Sequence, residues 1–196
     1  FDAAALHVIE GEVETTQHLL QQPNDYIFFT GSTRVGKLIM KAAAEQLTPI
    51  TLELGGKSPA IVDSSASIPL TAKRILFGKC FNAGQTCIAP DYVLVHESKK
   101  EALVDAFKAS IHAFFGTNPK SSPDYARIIN DDHFNRLVNY LSDGTVLIGG
   151  HYDADTRYMD PTILELNNLN VPVLEEEIFG PILPLITFSH LDQAIE

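Results

Sequence analysis

Short apolar runs alternate with helical periods along the chain, the pattern of an α/β protein. Residues 6–13 read as a strand that ends in turn-prone Gly and Glu, and residues 15–22 as a short helix stopped by Pro23-Asn24-Asp25. The run YIFFT at 26–30 predicts a short buried strand. Over 33–47, Val35, Leu38, Ile39, Ala42, Ala43 and Leu47 recur at helical spacing, and a strand over 50–54 closes at Gly55-Gly56. A second unit begins with a strand over 58–63. The helix that follows, from about residue 67, has Pro69 in its first turn, with Ala72, Ile75, Leu76 and Cys80 on one face. Next come a strand over 92–95 and a helix to about 115 opened by the capping box Ser98-x-x-Glu101, with Leu103, Phe107, Ile111 and Phe114 inward. A helix over 131–141 and strands over 145–148 and 182–188 complete the pattern. Residues 151–177 are polar and irregular, and read as loops with one short strand at 162–166.

Composition narrows the class. The 196 residues suit about one domain or slightly more. With 20% charged and 45% hydrophobic residues, the chain is globular. A net charge of −11 excludes general electrostatic attraction to nucleic acid or an anionic membrane. Two cysteines exclude a disulfide scaffold and point to free thiols in a reducing compartment, hence a cytoplasmic protein. No run of 18 apolar residues predicts a membrane span, and the acidic start is not a signal peptide. Both ends read as cut within an element.

Four segments carry candidate chemistry. TGSTRVGK at 30–37 follows a strand and opens a helix, where backbone N–H groups and the helix dipole favour an anion; Gly31 permits a tight turn. It meets most of a phosphate-binding P-loop pattern, but Leu38 stands where a magnesium-binding hydroxyl is required. In LELGGKSP at 52–59, Glu53 lies one residue before the carboxyl end of a strand, where α/β sheets bind ligands. Among leucines, a desolvated carboxyl there suits general-base work; a salt bridge or a solvent-facing edge position is the plainer alternative. In FNAGQTCIAP at 81–90, Cys87 sits on irregular backbone between Gly84 and Pro90, whereas Cys80 reads as a core hydrophobe. The C-x6-C spacing and scattered His residues do not make a metal site. In EEEIFGPILP at 175–184, three carboxylates run into a buried strand, and Glu177 is the one held in place.

In this order and spacing, FTGSTRVGK, LELGGKSP, FNAGQTC and EEEIFGP resemble the signatures of the aldehyde dehydrogenase superfamily. TPITLELGGKSPAIVD, NAGQTCIAPDYVLV, NPKSSPDYARIIN and TRYMDPTILE are similar to its class 3 branch, which handles fatty and aromatic aldehydes. The resemblance covers nearly the whole chain. It implies a remnant of a Rossmann-type dinucleotide-binding domain over 1–53 and an α/β catalytic domain over 54–196, truncated at its end. Cys87 resembles the nucleophile and Glu53 the base that activates water. Gly31, Ser32 and Val35 match the helix start beside the dinucleotide pyrophosphate. Glu177 matches the carboxylate that holds the nicotinamide ribose, and Phe179 the ring beside the nicotinamide. NAD or NADP is the implied cofactor, a small-molecule aldehyde the substrate, and a homodimer or larger assembly the parent. As it stands the chain is expected to be inactive, because the family's second oxyanion donor and adenosine pocket lie upstream. Two rival readings are a cofactor-free thiol esterase using Cys87 and Glu53, and a degenerate P-loop module using residues 31–37.

Overall fold

A computed structural model describes residue 2 and residues 4–195; residues 1, 3 and 196 lie outside that description, and the expected domain ranges begin at the first of them and end at the last. The chain forms two compact units, Phe1–Gly55 and Gly56–Glu196. The fold is mixed α/β.

The first unit runs α1 (Val13–Leu20), β1 (Ile27–Gly31), α2 (Thr33–Glu45) and β2 (Ile50–Leu54). β1 and β2 pair in parallel from Ile27↔Ile50 to Gly31↔Leu54, so α2 is the crossover of a βαβ unit. α2 buries Gly36, Ile39 and Ala43. A Cβ on Gly36 would lie 2.8 Å from Leu54 Cδ2, so the glycine lets the helix close on the strand. Two of the expected inward residues of α2 are instead outside: Leu38 is 59% exposed and Leu47 88%. Leu47 has φ +55 and ends the helix, with the Thr48 N–H donating to Ala43 O at 3.0 Å, so it takes the place glycine usually fills. The strand expected over 6–13 does not form. Residues 6–12 are irregular and Val13 opens α1; no strand pairs with them among the described residues.

The second unit contains β3 (Pro59–Val62), α3 (Ile68–Cys80), β4 (Tyr92–His96), α4 (Lys100–Phe115), α5 (Asp131–Tyr140), β5 (Thr145–Ile148), β6 (Tyr152–Asp153), β7 (Tyr158–Met159), β8 (Thr162–Glu165), β9 (Ile182–Phe188) and α6 (Asp192–Ile195). Its five-stranded sheet has the order β3-β4-β9-β8-β5, parallel except for β5. β9 is central and buried almost throughout, as a near-continuous apolar run in a parallel sheet should be. Its Pro184 has no N–H to give, and pairing with β4 begins only at Val93↔Leu185. α3, α4 and α5 turn Ala72, Leu76, Leu103, Phe107, Phe134 and Leu137 into one core with β4, β8 and β9. The Ser98 capping box does not form. Ser98 lies in a 3-10 turn, Glu97–Lys99, and its N–H donates to the His96 ring at 3.2 Å. Within 151–177, read as mostly loop, β6 and β7 form a hairpin that buries Tyr158 and Met159.

Candidate active site

In the first unit, the β1–β2 register sets Glu53 beside Thr30 and Leu54 beside Gly31. Glu53 therefore stands one residue from the corner where β1 turns into α2. Its side chain is exposed on the face away from the strand's partly buried leucines, which corrects the expectation of a carboxyl desolvated among them. Ser32 caps α2: its Oγ accepts from the Val35 N–H at 3.3 Å, and its carbonyl accepts from Gly36 at 2.8 Å. The first turn of α2 has no acidic residue and contains Arg34. Capping thus occupies the Val35 N–H, while the start of the helix remains suited to an anion.

In the second unit, α3 ends at Cys80 and the backbone turns left-handed for three residues, with φ +50 at Asn82, +52 at Ala83 and +76 at Gly84. For Ala83 this costs roughly 1–3 kcal/mol, which surrounding contacts must offset, whereas Asn and Gly adopt it readily. Gly84 is required on steric grounds as well, since a Cβ there would lie 2.2 Å from Gly180 O. Gln85 follows. Its Nε2 donates to Asn82 O and Arg127 O, both at 3.0 Å, and its Oε1 accepts from the Ile129 N–H at 2.9 Å. A β-turn then runs over residues 86–89, closed by the Ala89 N–H donating to Thr86 O at 3.0 Å. Cys87 is the second residue of that turn, exposed, and its own N–H has no acceptor among the described residues. Cys80 is buried, and burial pushes its thiol up to about 12. The two thiols are thus separated physically, one inert in the core and one presented on a rigid turn.

β4 and β9 are parallel neighbours, so the segments that enter them meet at one edge of the sheet. The residues before β4 carry Cys87, and those before β9 carry Glu177 and Phe179. The contact is direct: Asp91 Oδ1 accepts from the Ile178 N–H at 2.9 Å. Asp91 Oδ2 pairs with Lys57, whose Nζ also donates to Val173 O at 3.2 Å and Glu176 O at 2.9 Å. From the other side, Arg136 donates to Glu177 O at 3.1 Å and Ile178 O at 2.7 Å. Glu177 is half-buried, and burial pushes its carboxyl up while the Gly56 backbone amide pulls it down. Phe179 is held at φ +49. The structure therefore brings Cys87, Glu177 and Phe179 to one edge of the second unit, and Glu53, Gly31, Ser32 and Val35 to one corner of the first. Among the described residues no three His, Cys, Asp or Glu side chains group as a metal site.

The residues that hold this edge together are not singled out from sequence: Lys57, Gln85 and Asp91 stand inside the quoted motifs but their partners are remote, and Arg136 lies outside every motif. Lys79 had a usable signal, since it continues the 72, 75, 76 spacing of the buried face of α3. It is 1% exposed. Burial pushes its amine down to about 8 against the opposing pull of Asp91, Cys80 and Glu177. A base whose folded pKa lies below its unfolded value favours folding increasingly as pH rises, because the unfolded chain holds the proton longer. For Lys79 the rise runs from about pH 8 to 10.5; Cys80 acts oppositely from pH 9, where its unfolded thiol ionises first. Stability is therefore expected to gain about 1 kcal/mol between pH 8 and pH 9 from Lys79. Urea titrations of the wild type and Lys79→Met check this: the variant should lack that increment. An equal pH response in both would show that the buried amine keeps its proton.

The comparisons agree on one family. The aldehyde dehydrogenase family model matches residues 1–196. The chain is 51% identical over 197 residues to 4,4'-diaponeurosporen-aldehyde dehydrogenase of Staphylococcus aureus, covering all of this chain and 43% of that protein. It is 52% identical to aldehyde dehydrogenase family 3 member B2 of Mus musculus, covering all of this chain and 41% of that protein. Staphylococcus aureus AldH in its substrate-bound state superposes with a TM-score of 0.94 at 51% identity, over all of this chain and 43% of that one. Mycobacterium tuberculosis aldehyde dehydrogenase complexed with NAD+ gives 0.83 at 30% identity, over 94% of this chain and 40% of that one. The chain spans about two fifths of the length of these relatives. A family match from end to end, close identity to family 3 members and the shared α/β fold lead to one conclusion: the chain belongs to the aldehyde dehydrogenase family.

Proposed function

We propose that this chain carries the nucleophile, the general base and part of the dinucleotide site of an NAD- or NADP-dependent aldehyde dehydrogenase that oxidises an aldehyde to a carboxylic acid. On this reading the first unit belongs to the dinucleotide-binding domain and the second to the catalytic domain. The observation that carries the reading is the contrast between the two cysteines: Cys87 exposed on a fixed turn, Cys80 sealed in the core. As a thiolate, Cys87 attacks the aldehyde carbonyl and forms a thiohemiacetal. Its N–H is unengaged by backbone partners and is a donor for the developing oxyanion. A bound dinucleotide would supply the hydride acceptor that lets the thiohemiacetal on Cys87 collapse to a thioester. Glu53 then takes a proton from water, which cleaves the thioester to the acid and restores the thiol.

The residues fit a dinucleotide. The α2 start, with Gly31 in the corner, Ser32 capping it and no acid in the first turn, suits the pyrophosphate. Val35 stands in the same first turn, its N–H capped by the Ser32 hydroxyl. The half-buried Glu177 carboxylate suits the ribose hydroxyls, and Phe179 an aromatic ring. Among the described residues no helix is long and apolar enough to cross a membrane. We place the parent enzyme in the cytoplasm as a homodimer.

Brief treatment of the folded chain with iodoacetamide, followed by mass mapping, tests the nucleophile. Cys87 is expected to label first and Cys80 to stay unmodified until the chain unfolds; preferential labelling of Cys80 would refute the assignment.

A further inference from the structure

The turn that bears Cys87 is not held by its own sequence. It enters through three left-handed residues and leaves through Pro90, and its single internal backbone bond is Ala89 N–H to Thr86 O. The side chain that joins it to anything distant is Gln85. A primary amide has two N–H donors and one acceptor oxygen, and here all three functions are used. One donor closes on Asn82 O, the other reaches Arg127 O, and the oxygen receives the Ile129 N–H. Asn82 returns the contact, its Nδ2 donating to Gln85 O at 3.2 Å.

The segment that receives Gln85 is itself fixed. Arg127 donates to Tyr125 O at 3.0 Å and Lys120 O at 2.6 Å, and its guanidinium lies 5.0 Å from the centre of the Tyr158 ring. The Ile128 N–H donates to Arg157 O at 3.1 Å, and the Tyr125 hydroxyl to Met159 O at 3.0 Å. Residues 125–129 are thereby tied to the β6–β7 hairpin, and the amide of Gln85 extends that anchor to within two residues of the thiol.

We propose that Gln85 is a positioning residue for Cys87: its amide fixes the orientation of the turn, and so the direction of both the Cys87 thiol and the Cys87 N–H. This rests on the reading of Cys87 as nucleophile. All three functions of the Gln85 amide are taken by backbone groups of the chain itself, so its loss is expected to act on the chemical step and to leave dinucleotide binding alone. Gln85→Glu keeps the shape and the acceptor for Ile129, but sets a carboxylate oxygen against the carbonyls of Asn82 and Arg127. Gln85→Ala leaves space for water to meet both carbonyls. A positioning role through the two donors ranks the variants by hydrogen bonding, with Glu worse than Ala. A packing role ranks them by volume, with Ala worse than Glu.

The experiment uses the full-length enzyme that contains this chain, with rates normalised to folded protein. Both variants are expected to lower kcat by roughly 10- to 100-fold, the scale of a misplaced reacting group, with Gln85→Glu the slower. KM for the dinucleotide should stay within about twofold, because that site is untouched. Cys87 should still be alkylated by iodoacetamide in both. The proposal is overturned if kcat stays within about threefold of wild type, if KM for the dinucleotide rises in step with the loss, if Ala is the slower variant, or if neither variant folds. Cys87→Ser serves as the separate control: retained activity there defeats the nucleophile assignment itself, whereas unchanged kcat in the Gln85 variants alone defeats only the positioning role.

Discussion

Replacing Cys87 by alanine in the full-length enzyme is expected to reduce kcat for aldehyde oxidation by roughly 10⁴- to 10⁶-fold, the scale seen when a hydrolase loses its nucleophile. The side chain is exposed, and its turn is held by backbone bonds and by Gln85, not by the sulfur. Truncation therefore removes the attacking atom without opening a cavity, and melting temperature should be nearly unchanged, as for surface substitutions generally. Cys80→Ala gives the reverse pattern, since that thiol is buried in the hydrophobic core. Steady-state kinetics and a thermal melt on the two variants separate the cases. A Cys87→Ala enzyme retaining even a hundredth of wild-type kcat would mean that another group attacks the aldehyde.

Glu53→Gln is expected to slow turnover by about 10²- to 10⁴-fold, the range for loss of a general base, while sparing the step that reduces the dinucleotide. The amide keeps the size of the carboxylate at the end of β2 but cannot take a proton from water. The thioester on Cys87 should then accumulate, and a stopped-flow trace should show a rapid burst of reduced dinucleotide followed by a slow steady state. Because Glu53 is exposed and β2 pairs through its backbone, the variant should fold normally. An absent burst would place Glu53 before hydride transfer, and an unchanged steady-state rate would remove it from the mechanism.

Much of the second unit was legible because its helices obey one period. Ala72, Ile75, Leu76 and Cys80 were read as one face and form one, and the buried run of β9 stands where apolar residues are continuous. The failures have identifiable causes. Residues 6–13 have strand-like apolar content, but a strand needs a neighbour; none pairs with them among the described residues, and Leu6 and Val8 are exposed. Ser98 has the spacing of a capping box, yet its N–H is taken by the His96 ring two residues earlier. Leu38 fits the helical period of α2, but the close approach at Gly36 moves the buried stripe onto 36, 39 and 43. The family signatures contain Lys57, Gln85 and Asp91 but do not show what these residues bond. Asp91 and Lys57 are 34 positions apart, and Arg136 reaches Ile178 across 42. No local pattern encodes a partner at that separation; only the sheet, by placing the entrances to β4 and β9 side by side, brings them into reach.

The left-handed run at Asn82, Ala83 and Gly84 bears on any attempt to move the Cys87 turn elsewhere. Asn and Gly accept positive φ readily, but Ala does not, and the shape persists because Gly180 O packs against Gly84 while Gln85 reaches Arg127 and Ile129. The heptapeptide FNAGQTC is therefore not a portable module. Grafted into a foreign scaffold by itself, it would relax to ordinary turn geometry and present its thiol in some other direction. A transplant that keeps the native presentation has to carry three discontinuous pieces as a set: residues 81–90, the carbonyl and amide of 127–129, and the backbone at Gly180 with Leu137 behind it.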